Sequence, residues 1–187
     1  MFDIYIIIEK ERRIMKQRLI LVKINSDYCD FLRTFDKRVP YNYDKKSNRP
    51  FVGVLFRVDN YHYFAPLSSP KRKHLKMHNT IDFLKLDGGK LGAVNFNNML
   101  PVTTKNITKI NFERILNSSD RAYYKLLQEQ IYWLNRNRNQ LYKKSFQLYQ
   151  KQIENRLPNS IMQRCCNFKL LEEKCTEYNQ NKMNITN

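Results

Sequence analysis

The chain has 187 residues and carries 34 Lys plus Arg against 17 Asp plus Glu, a formal net charge of +17. That excess concentrates polyanions around the protein and points to a nucleic-acid partner. With 42% hydrophobic and 13% aromatic residues the composition is globular rather than disordered, and its length suits one substantial core.

Composition also excludes several classes. No stretch approaches the roughly 20 apolar residues of a membrane-spanning helix, and Ile4 to Ile8 is interrupted at once by Glu9, Lys10, Glu11, Arg12 and Arg13. Cys29, Cys165, Cys166 and Cys175 have neither the paired spacing of a zinc site nor the density of a secreted disulfide scaffold. They read as free thiols in a reducing cytoplasm, with no membrane association.

Residues 1–14 read as an N-terminal extension, because Met15 opens a second start that runs into a strand expected over Leu19 to Ile24. Residues 15–179 form the expected single domain, and 180–187 a polar tail. Ser26 is placed to cap a helix from Asp27 to about Phe35, with Phe31, Leu32 and Phe35 on one face. Val39-Pro40 ends it, and residues 41–50 read as an exposed loop. Phe51 to Val58 and Tyr61 to Leu67 are β-type runs joined by Asp59-Asn60, a two-residue hairpin signal.

A second hairpin is expected from Ile81–Leu86 through Asp87-Gly88-Gly89 to Leu91–Phe96, followed by a short edge strand at Pro101-Val102. Beyond Ser118 the period changes. Leu127, Ile131, Leu134, Leu141 and Leu148 mark one or two long amphipathic helices, bent near Asn135 to Asn139. Asn167 is placed to cap a last helix through Lys174, with Phe168, Leu170 and Leu171 inward and Glu172 and Glu173 outward. A β-rich centre preceded by one helix and followed by several fits an α+β domain with a mostly antiparallel sheet.

Four glycines leave no room for a dinucleotide fingerprint or a phosphate-cradling loop, so no nucleotide cofactor is expected. His74 and His78 stand four apart, but basic neighbours and the lack of a nearby carboxylate argue against a metal there. Carboxylates are scattered, with no acidic cluster for a two-metal nuclease. Cleavage of a phosphodiester by this chain is therefore expected without metal or other cofactor.

RNA permits that chemistry because its 2′-hydroxyl is a built-in nucleophile. The protein must take the 2′-proton, give one to the leaving 5′-oxygen and stabilise the charge that builds on phosphorus. FAPLSSPK, Phe64 to Lys71, sets Ser68, Ser69 and Lys71 within four residues, with Pro70 stiffening the turn. The hydroxyls suit donation to phosphoryl oxygens. Lys71 suits the charge, or the proton. On spacing alone, an ordinary turn followed by a solvated basic loop explains the same residues.

FAPLSSPK (64–71), INSDYCDFLRTFDKRVP (24–40), RPFVGVLF (49–56) and CNFKLLEEK (166–174) together resemble the ToxN/AbiQ/CptN family, the protein toxins of type III toxin–antitoxin systems. The likeness runs over most of residues 19 to 178, in matching order. It implies a twisted, mostly antiparallel sheet flanked by helices, related to the MazF and Kid type of ribonuclease toxins. It implies a metal-independent endoribonuclease that leaves a 2′,3′-cyclic phosphate and a 5′-hydroxyl. It also implies inhibition by a repeated pseudoknot RNA, which the toxin cuts into units and holds in a cyclic protein–RNA assembly, and a role in abortive infection by phage.

Carried over residue by residue, the catalytic hydroxyl pair falls on Ser68 and Ser69, the catalytic lysine on Lys71, and an aromatic hydroxyl near the site on Tyr28, for which a helix residue packing on the sheet with a local partner for its hydroxyl is the equal alternative. Arg49 stands where relatives have Lys or Arg and suits a phosphate contact. Tyr43 is expected to contact RNA from a loop whose length differs from some relatives. Further RNA contacts are expected from Arg72, Lys73 and Lys76, and from Arg136, Arg138, Lys143 and Lys144 on the long helices, with aromatics between them stacking on unpaired bases. A basic RNA-binding module without catalysis is the competing reading; a DNA-binding repressor lacks a helix-turn-helix signature.

Overall fold

The computed structural model describes residues 17–41, 49–112 and 121–185. Tyr43, the proposed extension 1–14 and the second start at Met15 lie outside the described residues. Eight strands form one sheet: β1 (Ile20–Ile24), β2 (Phe51–Gly53), β3 (Arg57–Val58), β4 (Tyr61–Ser68), β5 (Phe83–Lys85), β6 (Ala93–Asn95), β7 (Leu100–Val102) and β8 (Ile107–Lys109). The order is β5-β6-β4-β2-β1-β8, with β3 and β7 also paired to β4. All of these pairings are antiparallel.

Strand β4 is the spine. Its central residues Tyr63 to Leu67 are all buried, as a strand covered on both faces requires. The Asp59-Asn60 hairpin is present, with Val58 opposite Tyr61, and Asp59 takes the positive φ of 49° that such a turn demands. The run expected as one strand over 51–58 is two, β2 and β3. Between them Leu55 N–H still bonds Tyr63 O and Tyr63 N–H bonds Phe56 O, so the chain shifts partners without leaving β4.

Helix α1 (Ser26–Phe35) begins one residue before the expected start. Asn25, not Ser26, caps it: the Asn25 side-chain oxygen accepts from Tyr28 N–H at 3.1 Å. Of its expected apolar face, Leu32 is fully buried while Phe35 is 41% exposed, lying under the Lys174 ammonium at 4.2 Å. Helix α2 (Arg72–Lys76) is short, and the pair α3 (Arg121–Arg136) and α4 (Arg138–Ile153) break at Asn137 as the Asn-Arg alternation predicts. After the brief α5 (Asn159–Met162), α6 (Phe168–Ile185) is capped by Asn167, whose side-chain oxygen accepts from Leu170 N–H at 3.2 Å. The last helix thus runs well past Lys174 and into the segment read as a tail.

Glu172 is a correction. It points inward and is 5% exposed. Its Oε1 accepts from the hydroxyls of Tyr63 and Tyr149, each at 2.8 Å, and its Oε2 from Lys169 Nζ at 2.9 Å. A buried carboxylate needs such donors to offset desolvation, and the two tyrosines come from β4 and α4 while Lys169 lies one turn back on α6 itself. The same tyrosines stack into an aromatic cluster with Phe56, the Phe56 and Tyr63 ring centroids 4.5 Å apart. This cluster joins α4 and α6 to the spine strand. It leaves the C-terminal end of β4 as a rigid base for whatever follows Ser68.

Candidate active site

Strand β4 ends at Ser68, which pairs with Ala93 of β6. Ser69 and Pro70 then turn the chain, and Lys71 stands at the N-terminal flank of α2, its carbonyl accepting from His74 N–H at 2.8 Å. The sheet therefore fixes one end of the FAPLSSPK segment and a helical turn fixes the other. Ser68 and Lys71 line one cleft of about 380 Å³, with Ser69 exposed on the turn between them.

Gly92 holds that turn in place. It has φ +90°, and a β-carbon there would meet Ser68 O at 2.0 Å and the Ser69 and Pro70 backbone near 3 Å. Gly89 does the same for the other flank, where a β-carbon would meet His74 O at 2.7 Å. The glycine-rich hairpin turn is thus the cradle of the site. Sequence reading used Gly88 and Gly89 only as turn formers and did not single out Gly92; the run Asp87-Gly88-Gly89-Lys90-Leu91-Gly92 was the available signal.

Asn95 on β6 donates its amide N–H to Ser68 Oγ at 2.8 Å. A hydroxyl that accepts from an amide keeps its own proton to donate, so Ser68 is directed to act as a hydrogen-bond donor in the cleft. Arg49 lies just before β2, where Phe51 pairs with Pro66 and Leu67 N–H bonds Pro50 O, and it is not among the residues that line the cleft with Ser68. Burial pushes the Arg49 guanidinium down from its ordinary value, the nearby Cys29 opposing.

His74 is buried beside Lys71, and its Nδ1 has no hydrogen-bond partner among the described residues. Burial first, then Lys71 and Lys73, lower its pKa, so it is neutral near pH 7. Among the described residues no group of three or more His, Cys, Asp and Glu is placed to hold a metal ion. The four cysteines are free and buried, and no helix among the described residues is long and apolar enough to cross a membrane.

Of the two readings of Tyr28, its surroundings match the packed one. Its ring is fully buried and its hydroxyl donates to Pro101 O at 2.6 Å, packed edge-on against Tyr178. Burial raises its pKa well above that of a free phenol, as do the neighbouring Cys175 and Cys29. A phenol so enclosed joins α1 to β7 and does not face the cleft.

The expected RNA contacts divide. Arg72, Lys73 and Lys76 are exposed on α2 beside the serines, and Lys73 lines the cleft. Lys144 donates to Thr80 O at 2.7 Å and so braces the cleft rim instead of reaching outward; burial lowers its pKa, Asp82 opposing. Lys143 is exposed on α4. Arg136 and Arg138 lie elsewhere. They line a second cleft with Arg18, Tyr132, Asn135 and Asn139. Asn135 clasps Leu19 through its N–H and C=O, just before β1, and β1 runs parallel in direction to β4 through their common neighbour β2. The second cleft therefore sits at the end of the sheet opposite Ser68.

A sheet end presenting two alcohols and an ammonium group, in a strongly cationic protein, is an arrangement that can bind a phosphodiester. The chain belongs to the family described as toxin ToxN of type III toxin–antitoxin systems, whose model matches residues 20–176. The endoribonuclease ToxN of Bacillus thuringiensis subsp. kurstaki is 31% identical over 161 residues, covering 84% of this chain and 82% of that protein. The endoribonuclease AbiQ of Lactococcus lactis subsp. lactis is 25% identical, covering 90% of this chain and 94% of its own. A solved structure concerned with selective inhibition of a type III toxin by a non-coding RNA pseudoknot superposes with a TM-score of 0.74 at 30% identity, covering 87% of this chain and 99% of that one. Sheet and flanking helices are thus shared across the family.

Proposed function

We propose that this chain is the toxin of a type III toxin–antitoxin pair, an endoribonuclease that cuts RNA without a metal ion. The observation that carries the reading is Ser68 and Lys71 on the wall of one cleft, with Ser69 on the rigid turn between them and Asn95 directing the Ser68 hydroxyl. The 2′-hydroxyl of the substrate gives up its proton as its oxygen bonds to phosphorus, the bond from phosphorus to the 5′-oxygen breaks, and that oxygen takes up a proton. The products are a 2′,3′-cyclic phosphate and a 5′-hydroxyl. Ser68 and Ser69 donate hydrogen bonds to the phosphoryl oxygens, Lys71 balances the negative charge that develops, and Arg49 contacts a neighbouring phosphate.

Pre-aimed donors gain most where they need not reorganise as the reaction proceeds, and a turn clamped by Gly92 supplies that rigidity. The scaffold is of the MazF and Kid ribonuclease-toxin type. In the cytoplasm, a repeated pseudoknot RNA is both substrate and inhibitor, cut into units that remain bound in a cyclic protein–RNA assembly. Release of the toxin from that assembly stops phage spread through abortive infection. Named relatives that are endoribonucleases, and a solved relative inhibited by an RNA pseudoknot, support this reading.

Lys71→Ala tests it. Removing a group that stabilises the transition state costs on the order of 10²-fold or more in cleavage rate, while most of the RNA affinity, spread over many cations, survives. Equal decay of a transcript by wild type and Lys71→Ala would instead favour a binding module without catalysis.

A further inference from the structure

The wall of the cleft that faces the serine turn carries a group with no role in the chemistry above. Arg164, in the segment between α5 and α6, is bound by Asp82 through both edges of a fork: Nε to Oδ2 at 2.7 Å and Nη2 to Oδ1 at 3.0 Å. Its Nη1 also donates to Ser160 O at 3.3 Å. Asp82 is buried and accepts a further bond from Thr80 Oγ1 at 2.8 Å. The Arg164 backbone is fixed as well, its carbonyl accepting from Asn97 Nδ2 at 3.0 Å and the next N–H but one, that of Cys166, bonding Asn97 O at 2.8 Å.

Two features decide what such an arginine is for. The guanidinium is paired with a buried carboxylate, so the pair adds little net charge to a molecule that already has cations in excess; phosphate attraction does not need it. Its plane, however, cannot rotate, and its side chain is 50% exposed in the cleft that holds Ser68 and Lys71. A fixed, weakly hydrated planar cation is a surface on which an unpaired base stacks. Burial would raise the Asp82 carboxyl, but Arg164 and Thr80 hold it below its ordinary range, so the clamp stays ionised at neutral pH.

We propose that Arg164, locked by Asp82, is the stacking platform for one unpaired nucleobase beside the bond that is cut. This rests on the reading that RNA is cleaved at the Ser68 to Lys71 turn. The consequence is specificity. A base in this position sets which bond is presented to the serines, and charge alone does not replace the plane.

The test uses a short single-stranded RNA containing a mapped cut site, together with versions in which each nucleotide flanking the cut is made abasic in turn. Wild type should lose about 10-fold or more in kcat/KM at one of these positions, as removal of a stacked base does. Arg164→Ala should show a similar loss on the intact RNA and less than about twofold further loss on that abasic version. Arg164→Lys, which keeps the charge and the partner Asp82, should behave like Arg164→Ala; should the alanine variant not fold, the lysine variant carries the same comparison. Thermal melting of each protein separates folding from stacking. An abasic penalty as large in the variants as in wild type, or full activity of Arg164→Lys, would overturn the inference and leave the nuclease reading intact. Wild type that cut none of these RNAs would overturn both.

Discussion

The two ends of the sheet hold two basic clefts of about the same volume, each near 380 Å³, and they are built in opposite ways. At the β4 end the functional groups are tied down: Ser68 by Asn95, the turn by Gly92, Arg164 by Asp82. At the α3–α4 end, Arg136 lies over an exposed Tyr132 ring at 5.6 Å and bonds its hydroxyl at 3.1 Å. One end aims groups at atoms; the other offers charge and an aromatic face. Catalysis needs the first arrangement, and sequence-tolerant attraction of RNA needs only the second.

The contrast breaks most visibly at Gly92. Gly92→Ala sets a β-carbon 2.0 Å from Ser68 O at a left-handed φ, so the turn must move; we expect cleavage to fall by at least about 10-fold and stability by roughly 1–3 kcal/mol, read by initial rates and thermal melts. Tyr28→Phe should show the reverse pattern. Pro101 O loses its partner, at a stability cost of about 1–3 kcal/mol, while kcat stays within about twofold of wild type. A large loss of kcat with unchanged stability would return Tyr28 to the chemistry.

Acid should expose the framework that holds the cleft's far wall. Burial would raise the Asp36 carboxyl, but hydrogen bonds from Arg38 and from Asn167 N–H hold it below its ordinary 3.8. Its contribution to stability is therefore present above about pH 4 and lost as pH falls through the lower folded value. Asp36→Asn should be less stable than wild type at pH 7, and the difference should narrow in urea melts below pH 4. Arg136→Ala with Arg138→Ala should have the smallest effect. RNA affinity should drop several-fold at low salt with a shallower salt slope, and kcat should not change.

Much of the architecture was legible because turn chemistry is local. Asp59-Asn60 and Asp87-Gly88-Gly89 announced their hairpins, Asn167 its helix, and Asn135 to Asn139 the bend between α3 and α4. The serine–lysine turn was visible as a motif, and resemblance gave it a role. What escaped depends on partners far along the chain. Glu172 reads as a surface acid until Tyr63 and Tyr149 approach it, and Tyr28 reads equally as a site hydroxyl or as a ring packed on the sheet until Pro101 O lies 2.6 Å away. Strand β8 escaped for the same reason: Ile107 to Lys109 is polar and exposed enough to pass as loop, and only its pairing with β1 makes it a strand. Arg164 and Asp82 are 82 residues apart. No spacing rule joins them.

The central claim is that the groups on the β4 turn promote attack on phosphorus by RNA's own 2′-hydroxyl. An RNA with a single 2′-deoxy nucleotide on the 5′ side of the mapped cut, incubated with wild-type protein in EDTA, measures this directly. The all-ribose RNA should be cut to a 2′,3′-cyclic phosphate end and the substituted one should stay whole at that bond. Scission of the deoxy-substituted bond at the rate of the all-ribose bond would contradict the account.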